Sequence, residues 1–317
     1  MAVRWIAGAG GMAVVRNLVI VNPVAGGGSS AKRWERAEPL LRQLGYDFEQ
    51  TVTGKQGEAQ ALAAQAAARG YKCVVAVGGD GTVSEIVNGL LTETGVAGGG
   101  PRLGIVPTGR GVDLCRTLGI PLDYLEATRR LVDARTVAID IGEAEYTAAG
   151  AARHCYFANF AGMGFDVEVS RRANTIAPRG GGTIPYLSSV FLCLLSFRNK
   201  RVEMVADGEV TRRRVASIIA ANGQYFGGGM RIAPQASLTD GQFDVVILGD
   251  LSRPELVVNL PKIYEGTHVT HPKVDVFRAR TLEVHSVEPV YFQVDGDPLG
   301  ETPVKLCLHP AALQVVV

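Results

Sequence analysis

The chain has 317 residues, a formal net charge of +1 at pH 7, 47% hydrophobic and 20% charged residues. This length is enough for two domains with a substantial core, and this composition is typical of a globular protein. The near-zero charge excludes a strong global field that would attract nucleic acid, so we expect no nucleic-acid partner.

The sequence predicts no membrane span. Its longest apolar candidate, "YLSSVFLCLLSF" at 186–197, is shorter than the roughly 18 to 20 residues that a span needs. Residues 1–14 are interpreted as a tail, with Met12 as an alternative start. The five cysteines are scattered without a C-x-x-C pair, which predicts reduced thiols and a cytoplasmic protein.

The first predicted domain covers residues 15–137, where strands and helices alternate. The strands are expected at 15–23, 47–53, 72–79 and 102–109, and the helices at 29–45, 57–70, 82–91 and 122–133. Alternating units of this length predict an α/β domain whose parallel sheet is covered by helices. Such sheets bind ligands at the carboxyl ends of their strands.

The second predicted domain covers residues 138–317 and is expected to be an antiparallel, β-rich domain. Short β-branched runs separated by turn residues recur along it. They lie at 137–145, 154–160, 201–207, 212–222, 242–250, 274–286, 289–297 and 302–310. Helices are expected at about 183–198 and 253–264, and the last strand is a candidate to return to the first domain.

The third strand of the first domain ends in "GGDGT" at 78–82. Gly79 and Gly81 leave the backbone free to approach a ligand, and the following helix directs its first N–H groups to the same place. A bare carboxylate would repel phosphate, so Asp80 suits a ligand of metal or water, or a base. The alternative is an ordinary strand–turn–helix with Asp80 as the helix N-cap.

A second glycine-rich loop, "NPVAGGGSS" at 22–30, also follows a strand and precedes a helix. Two such loops in one α/β domain favour a phosphate-binding site over two unrelated turns. The loop is not a Walker A motif, because no Lys-Ser/Thr follows the glycines. It is also not a dinucleotide fingerprint with an acidic partner.

Six segments together resemble the diacylglycerol kinase catalytic family, specifically its soluble bacterial lipid kinases. They are "NPVAGG", "VTGKQGEA", "VGGDGTVSEIVNGL", "LGIVPTGRGVDLCRTLGIP", "ANGQYFGGGMRIAPQASLTDGQFDVVIL" and "FQVDGDPLGETPV", and they occur in this order. Sphingosine and ceramide kinases are more distant relatives, and NAD kinases share the nucleotide domain. The resemblance implies an NAD-kinase-like nucleotide-binding domain followed by a β-rich lipid-substrate domain.

The resemblance also implies which residues bind ATP. The loop after the first strand, a threonine after the second, the GDGTxxE loop after the third and one residue after the fourth would contact the nucleotide. These residues are Asn22, Pro23, Val24, Ala25, Gly26, Thr53, Gly79, Asp80, Gly81, Thr82, Val83, Ser84, Glu85 and Arg110.

The chain departs from the family pattern in "PTGRGVDLCR", where the family usually has P-x-G-T-x-N-D-F-A-R. Arg110 replaces the threonine and is still able to donate to a phosphate. Val112 replaces the asparagine and has no hydrogen-bonding group. Asp113 and Arg116 remain, and their alternative roles are a helix cap and a surface charge.

In the second domain, "PQASLTDGQFD" resembles the segment that holds a structural Mg²⁺ in the family. Asp240 would provide a carboxylate, and Ser237 and Gln242 would provide main-chain oxygens. Mg²⁺ accepts such a set of few carboxylates and several neutral oxygens. The alternative is a plain hairpin turn.

The segment "VDGDPLG" at 294–300 is similar to the family's V-D-G-E, whose glutamate is assigned as the proton acceptor. The matching residue is Asp297, which is one methylene shorter. Asp80 is the rival base, because its counterpart is favoured in the sphingosine kinase relatives. The alternative is a turn with two solvated acids, Asp295 and Asp297.

The resemblance therefore implies an ATP- and Mg²⁺-dependent lipid kinase, with diacylglycerol converted to phosphatidic acid as the leading reaction. Ceramide or sphingosine is an alternative substrate, and a catalytically silent nucleotide- or lipid-binding homologue is an alternative class. Residues 171–200, an apolar run between basic ends, suit a lid at an anionic membrane or a core helix. Transient membrane contact is expected, and a homodimer is left open.

Overall fold

The computed structural model describes residues 17–133, 135–148, 150–176 and 197–317. The chain divides into two compact units. The first unit contains the described residues up to Ile141 together with Pro310–Val317, and the second is Gly142–His309. The chain thus leaves the first unit after Ile141 and re-enters it at Pro310.

Four parallel strands form the sheet of the first unit, in the order β2-β1-β3-β4. They are β1 (Asn17–Val21), β2 (Glu49–Val52), β3 (Cys73–Gly78) and β4 (Arg102–Pro107). Every residue of β3 is buried, because helices cover both faces of a central parallel strand. The end of the last strand adds next to β4, with Val315 paired to Leu103. The predicted parallel α/β sheet is confirmed.

The helices of the first unit are α1 (Ala25–Gly28), α2 (Ser30–Gln43), α3 (Glu58–Ala68), α4 (Asp80–Thr94), α5 (Asp113–Leu118) and α6 (Tyr124–Asp133). Helix α2 buries Trp34, Ala37 and Leu41, the spacing expected of one helical face. Helix α4 begins two residues earlier and ends three residues later than predicted. Helix α5 was not predicted, since its six residues are too few to show a periodic pattern.

The alanine-rich composition of α3 has a packing explanation. A Cβ atom at Gly89 of α4 would lie 2.2 Å from the carbonyl oxygen of Gln60 and 2.9 Å from the Cβ of Ala63 in α3. The two helices therefore approach each other backbone to backbone, which only small side chains permit.

The second unit contains a six-stranded antiparallel sheet and a second group of strands. The sheet has the order β12-β11-β10-β7-β14-β15, and the second group contains the hairpins β8–β9 and β5–β6 and the pairs β13–β8, β13–β16 and β5–β16. The strands are β5 (Thr136–Ala148), β6 (Ala151–Phe157), β7 (Phe160–Gly164), β8 (Lys200–Ala206), β9 (Glu209–Val215), β10 (Ser217–Ala221), β11 (Phe243–Leu248), β12 (Val274–Ala279), β13 (Thr281–Ser286), β14 (Tyr291–Val294), β15 (Asp297–Glu301) and β16 (Val304–Val316). The predicted antiparallel, β-rich region is confirmed.

The main core of the second unit lies between these two groups of strands. Met163, Phe243 and Phe292 from the six-stranded sheet cluster with Phe157, Leu282 and Leu306 from the other group. The rings of Phe157 and Phe243 stack with centroids 5.6 Å apart. This arrangement is a β-sandwich, whose inner faces interdigitate.

Two helices and one 3-10 helix accompany the described strands of the second unit. They are α7 (Phe165–Ile176), α8 (Arg253–Glu265) and the 3-10 helix Thr267–Thr270. Helix α8 matches the prediction and begins with a capping box between Ser252 and Glu255. Residues 177–196 lie outside the described part of the chain. Most of the helix predicted at about 183–198, and most of the segment 171–200 interpreted as a lid or a core helix, therefore lie outside it too. None of the described helices has the length and apolar composition needed to cross a membrane.

Three predicted runs are broken in the structure. The run 212–222 divides at Ala216, and the run 274–286 divides at Arg280, where the chain passes from one group of strands to the other. The Asp207 carboxylate accepts hydrogen bonds from the amides of Arg280 and Thr281 at this break. Alternation of apolar and polar residues does not reveal such a change of sheet, because the strands before and after the break have the same two-residue period. The run 289–297 ends at Val294, and β15 follows.

Candidate functional site

The four loops that follow β1, β2, β3 and β4 lie at one edge of the sheet in the first unit, because the strands are parallel neighbours. Main-chain hydrogen bonds connect these loops. The amide of Asn22 donates to Val77 at 3.0 Å, and that of Thr53 donates to Val21 at 2.9 Å. The amides of Thr108 and Gly109 both donate to the carbonyl of Gly78 at 2.9 Å. The structure therefore brings the predicted nucleotide-contact segments together within this unit.

Glycine is required at two places where these loops touch one another. A Cβ atom at Gly109 would lie 2.3 Å from the Cα of Gly79, and one at Gly26 would lie 2.5 Å from the carbonyl oxygen of Thr108. Gly26 also has a φ of 63°, in the left-handed region that favours glycine. The backbones of the first, third and fourth loops thus form a closely packed surface with few side chains.

The loop after β1 carries the predicted contacts Asn22, Pro23, Val24, Ala25 and Gly26. The side-chain amide of Asn22 donates to the Thr82 hydroxyl at 2.9 Å, and its oxygen accepts from the Val24 amide at 3.3 Å. Asn22 therefore joins this loop to the beginning of α4, while Val24 is exposed.

Asp80 is the first residue of α4, and its carboxylate reaches the loop after β4. It accepts from the amide of Asp113 at 3.1 and 3.3 Å, and its own amide donates to Gly111 at 3.2 Å. Asp113 is the first residue of α5, so Asp80 caps a helix other than its own. Its roles as base and as a ligand of metal or water stay predictions.

Val112, which replaces the family asparagine, is buried at the N-cap of α5 and provides no side-chain cap bond. Because Asp80 binds the Asp113 amide, the start of α5 is stabilised without that asparagine. The Asp113 carboxylate is buried, with the Nε atom of Arg116 3.5 Å from its Oδ1 atom. Asp113 therefore forms an ion pair with the partly exposed Arg116, and its alternative role as a helix cap stays a prediction.

Glu85 belongs to the predicted GDGTxxE loop, and its carboxylate caps the neighbouring helix α3. It accepts from the Gly57 amide at 2.9 Å and from the Ala59 amide at 3.1 Å. Thr53 is buried, with its amide and hydroxyl both directed at the Val21 carbonyl. Nucleotide contacts by these residues stay predictions.

Two side chains that the sequence analysis missed hold the fourth loop. The Ser30 hydroxyl lies 2.6 Å from that of Thr108, and Arg33 donates to the Thr108 carbonyl at 3.1 Å. Both come from α2, more than 70 residues away in sequence, so no local motif contains the pair. The predicted contact Arg110 is exposed, and a Cβ atom at Gly27 would lie 2.7 Å from its Nη2 atom.

In the second unit, Asp295 and Asp297 flank a tight turn. Asp295 has a φ of 47°, and its carboxylate accepts from the amides of Ala158, Asn159 and Phe160, each at 3.0 Å. Burial raises the pKa of Asp295 to about 6, the three amides oppose this rise, and Asp297 adds to it. Asp297 itself is exposed at the first residue of β15.

A second acidic group in this unit was not recognised from the sequence. Asp166, at the start of α7, accepts from the Ser217 hydroxyl at 3.0 Å and from the Gln293 amide at 2.8 Å. Burial raises the pKa of Asp166 to about 6, and these hydrogen bonds partly counteract the rise. The Oε1 atom of Gln293 is buried without a hydrogen-bond partner in the part of the chain that the structure describes.

The predicted magnesium segment contains a pair of acids, and a cation of β12 lies beside them. Asp240 accepts from the Gln242 amide at 3.2 Å, and the Ser237 hydroxyl accepts from the Thr239 amide at 3.4 Å. Arg278 lies 3.8 Å from Asp240 and 3.9 Å from Asp244. Burial raises the pKa of Asp244, which Arg278 counteracts and Asp240 reinforces.

This donor set is compatible with Mg²⁺. The Oδ2 atom of Asp244 is buried and, among the described residues, has no hydrogen-bond partner. No cluster of three or more His, Cys, Asp or Glu residues suited to a metal occurs within those residues. Mg²⁺ bound by one or two carboxylates, main-chain oxygens and water does not need such a cluster.

Two family models cover most of the chain. The diacylglycerol kinase catalytic domain matches residues 16–144, and the YegS C-terminal NAD kinase beta sandwich-like domain matches residues 159–317. The second match includes β7 to β16, which is most of the β-sandwich of the second unit.

Curated relatives extend over nearly the same length. A diacylglycerol kinase of Mycobacterium tuberculosis is 33% identical over 302 residues, covering 94% of this chain and 93% of the relative. A diacylglycerol kinase of Bacillus subtilis is 29% identical over 289 residues, covering 91% of each chain. A solved structure from Bacillus anthracis, described as a diacylglycerol kinase, has a TM-score of 0.72 at 23% identity and covers 95% of this chain and 96% of its own, which supports the fold.

Proposed function

This chain belongs to the diacylglycerol kinase family, and from that premise we propose that it transfers the γ-phosphate of ATP to the hydroxyl of diacylglycerol, yielding phosphatidic acid. The observation that carries the proposal is the packing of the glycine-rich loops after β1, β3 and β4 at one sheet edge, supported by the start of α4. Main-chain amides at a helix start attract phosphate, and glycines allow its close approach.

Phosphoryl transfer depends mainly on positioning and on neutralising charge. In this proposal the loops hold the triphosphate by their amides, with Arg110 as an additional exposed cation. Bound Mg²⁺ would supply charge neutralisation between the β- and γ-phosphates. Asp80 orders the third and fourth loops through the Asp113 amide, so it positions the surface on which the triphosphate lies.

A second, structural Mg²⁺ is proposed at the segment containing Ser237, Asp240 and Gln242. The buried Oδ2 atom of Asp244, which has no hydrogen-bond partner in the described part of the chain, supports a cation in this segment. Its role there would be to fix the turn before β11, which begins at Phe243.

The lipid hydroxyl needs a proton acceptor, and Asp297 is the proposed one. Its carboxylate is exposed, whereas the Asp80 carboxylate already accepts from the Asp113 amide. The neighbouring Asp295 fixes the turn by its three amide contacts, which orients Asp297. Asp80 is kept as the rival base. We further propose a cytoplasmic protein that contacts a membrane transiently, because diacylglycerol resides in a bilayer.

A lipid panel tests the reaction. Purified protein is incubated with labelled ATP and Mg²⁺ and with diacylglycerol, ceramide or sphingosine in detergent micelles, followed by identification of the products. We expect labelled phosphatidic acid, and no product once EDTA removes Mg²⁺. A labelled ceramide or sphingosine product would overturn the proposed substrate but support the lipid kinase activity. Nucleotide binding without turnover of any lipid would favour the silent homologue.

The same assay separates the two candidate bases. The variant at the true base is expected to lose about 10²- to 10⁴-fold in kcat, the usual contribution of a general base. The variants are Asp297→Asn and Asp80→Asn, with the exposed Asp133→Asn as a matched control. If Asp297→Asn turns over lipid like the control, Asp297 is not the proton acceptor.

A further inference from the structure

Helix α8 is apolar on two sides. One side packs against the core cluster under the six-stranded sheet through Leu256, Leu260 and Ile263. The other side is exposed and consists of Pro254, Val257, Val258, Pro261 and Tyr264. We call these five residues the outer face of α8. A helix on a protein surface ordinarily shows polar residues on the side away from the core.

The outer face is continuous. At about 100° per residue, positions 257, 261 and 264 follow the i, i+4, i+7 row, and positions 254 and 258 border it, so the five side chains cover roughly 120° of the helix surface. The exposed fractions are 51% for Val257, 66% for Val258 and 50% for Tyr264. Scattered exposed valines are common in proteins, but five apolar residues on one helix face indicate a contact surface.

Most polar residues of α8 lie outside this face, and Glu265 enters it only at the last residue of the helix. Glu255 binds Lys273 at 2.8 Å and caps the helix with Ser252, and Asn259 donates to the Glu255 carbonyl at 2.7 Å. Together with Lys262, these residues lie on one side of the helix at the 3.6-residue repeat. The outer face is therefore bordered by the polar side next to Val258 and by the core side next to Tyr264.

Exposed cations lie at the start of α8 and on its polar side. Arg253 donates to the Phe197 carbonyl at 3.3 Å, which places Arg198 beside the start of α8. Lys262 adds a further exposed cation, and Glu265 is an exposed acid at the end of α8.

This charge distribution favours an anionic surface over a second copy of the chain. A symmetric dimer through the outer face would offer these cations only one acid of the facing copy, Glu265. Anionic headgroups instead complement them, because the negative surface potential of a bilayer attracts basic residues near it. Tyr264, with an apolar ring and a polar tip, suits the boundary between headgroups and acyl chains.

We propose that the outer face of α8 docks on the interfacial region of a bilayer that carries anionic headgroups. The proposal rests on the proposed lipid kinase activity, and it assigns the membrane contact to a defined surface of the second unit. The valines and prolines enter the headgroup–acyl boundary, while Arg198, Arg253 and Lys262 contact the headgroups.

Vesicle flotation without nucleotide tests the docking surface. The probe is a vesicle of phosphatidylglycerol and phosphatidylethanolamine, and the variant is the double substitution Val257→Gln with Val258→Gln. The matched control is Val210→Gln with Val287→Gln, two exposed valines of the same unit that lie outside α8. We expect partition onto vesicles to weaken about tenfold or more in the variant, because two apolar side chains no longer enter the boundary. The control should match the wild type, and phosphatidylcholine vesicles should bind all three proteins less tightly.

Equal partition of the variant and the control would overturn the proposal, as would a wild type that does not float with the vesicles. A variant that changes from dimer to monomer in light scattering while its partition stays unchanged would assign the face to self-association instead. If the variant has a lower thermal stability but the same partition onto vesicles, another part of the chain covers the outer face, and the proposal is overturned.

Kinase activity on diacylglycerol in detergent micelles separates this proposal from the proposed function. If both double variants phosphorylate the micellar lipid as the wild type does, a loss on vesicles alone supports docking. If no protein turns over any lipid while the wild type still floats, the proposed function fails and the docking surface stands.

Discussion

The strand-end loops of the first unit and the acidic turn of the second unit are organised in different ways. In the first unit, glycine backbones touch directly, as at Gly79 and Gly109, and main-chain hydrogen bonds join neighbouring loops. In the second unit, side chains fix the turn. The Asp295 carboxylate accepts hydrogen bonds from three amides that lie more than 130 residues earlier. A site made of backbone appears in the sequence as a glycine motif, whereas a site made of distant side chains has no such signature.

The largest effect is expected from a side chain placed between the two glycine loops. In Gly109→Ala the new Cβ would lie 2.3 Å from the Cα and 2.8 Å from the nitrogen of Gly79, and backbone atoms cannot rotate away. We expect unfolding to become easier by about 1 to 3 kcal/mol, as in other overpacked sites, and ATP affinity to fall at least about 100-fold. Calorimetric ATP titration and thermal unfolding measure both quantities.

Gly54→Ala is the matched control, because its Cβ would meet only the flexible Glu58 carboxylate at 3.5 Å. If Gly109→Ala binds ATP as tightly as Gly54→Ala does, the backbone contact between the third and fourth loops is not part of a nucleotide site.

A smaller effect is expected at Glu85, where the first unit relies on a side chain. Glu85→Ala leaves the amides of Gly57 and Ala59 at the start of α3 without their acceptor. We expect Glu85→Ala to lose about 1 to 2 kcal/mol in unfolding free energy. The stability of Glu85→Gln should lie between those of the wild type and Glu85→Ala, because the side-chain amide oxygen still caps one N–H. Denaturant unfolding measures this, with the exposed Glu35→Ala as control. Unchanged stability combined with weaker ATP binding would assign Glu85 to the nucleotide instead of to α3.

The smallest effect is a pH dependence from the second unit. Burial raises the pKa of Asp166 to about 6, whereas an unfolded chain has an aspartate pKa of about 3.9. Below about pH 4 both states hold the proton, and between about pH 4 and 6 only the folded state keeps it, so rising pH lowers stability in this window. Above about pH 6 Asp166 is ionised in both states, so its destabilising effect on the folded state no longer changes with pH.

Asp166→Asn does not titrate, so it isolates this contribution from that of Asp295. We expect the melting temperature of the wild type to fall relative to the variant by a few degrees from pH 4 to pH 6.5, and the difference to stay level above it. A difference that is constant over the whole range would mean that Asp166 has an ordinary pKa in the folded protein.

Sequence reasoning predicted the fold class because long buried strands and alternating helices have strong periodic signals, as in β3 and α2. It failed for α5 and for the breaks at Ala216 and Arg280, where a short helix or a change of sheet leaves the local pattern unaltered. It proposed Asp80 for chemistry, but the capping of α5 by Asp80 required the fourth loop to be in place. The exposed outer face of α8 likewise needed the packed core to show which side of the helix is outward.

The amino-acid sequence by itself determined the family, the parallel sheet and the glycine loops, because glycine at a strand end and apolar periodicity act within a few residues. Only the tertiary structure decided which polar groups those elements meet. Gln293 reaches Asp166 across 127 residues, and Asp295 reaches the Ala158 amide across 137. Hydrogen bonds and burial depend on atoms close in space, and such partners leave no spacing rule along the chain.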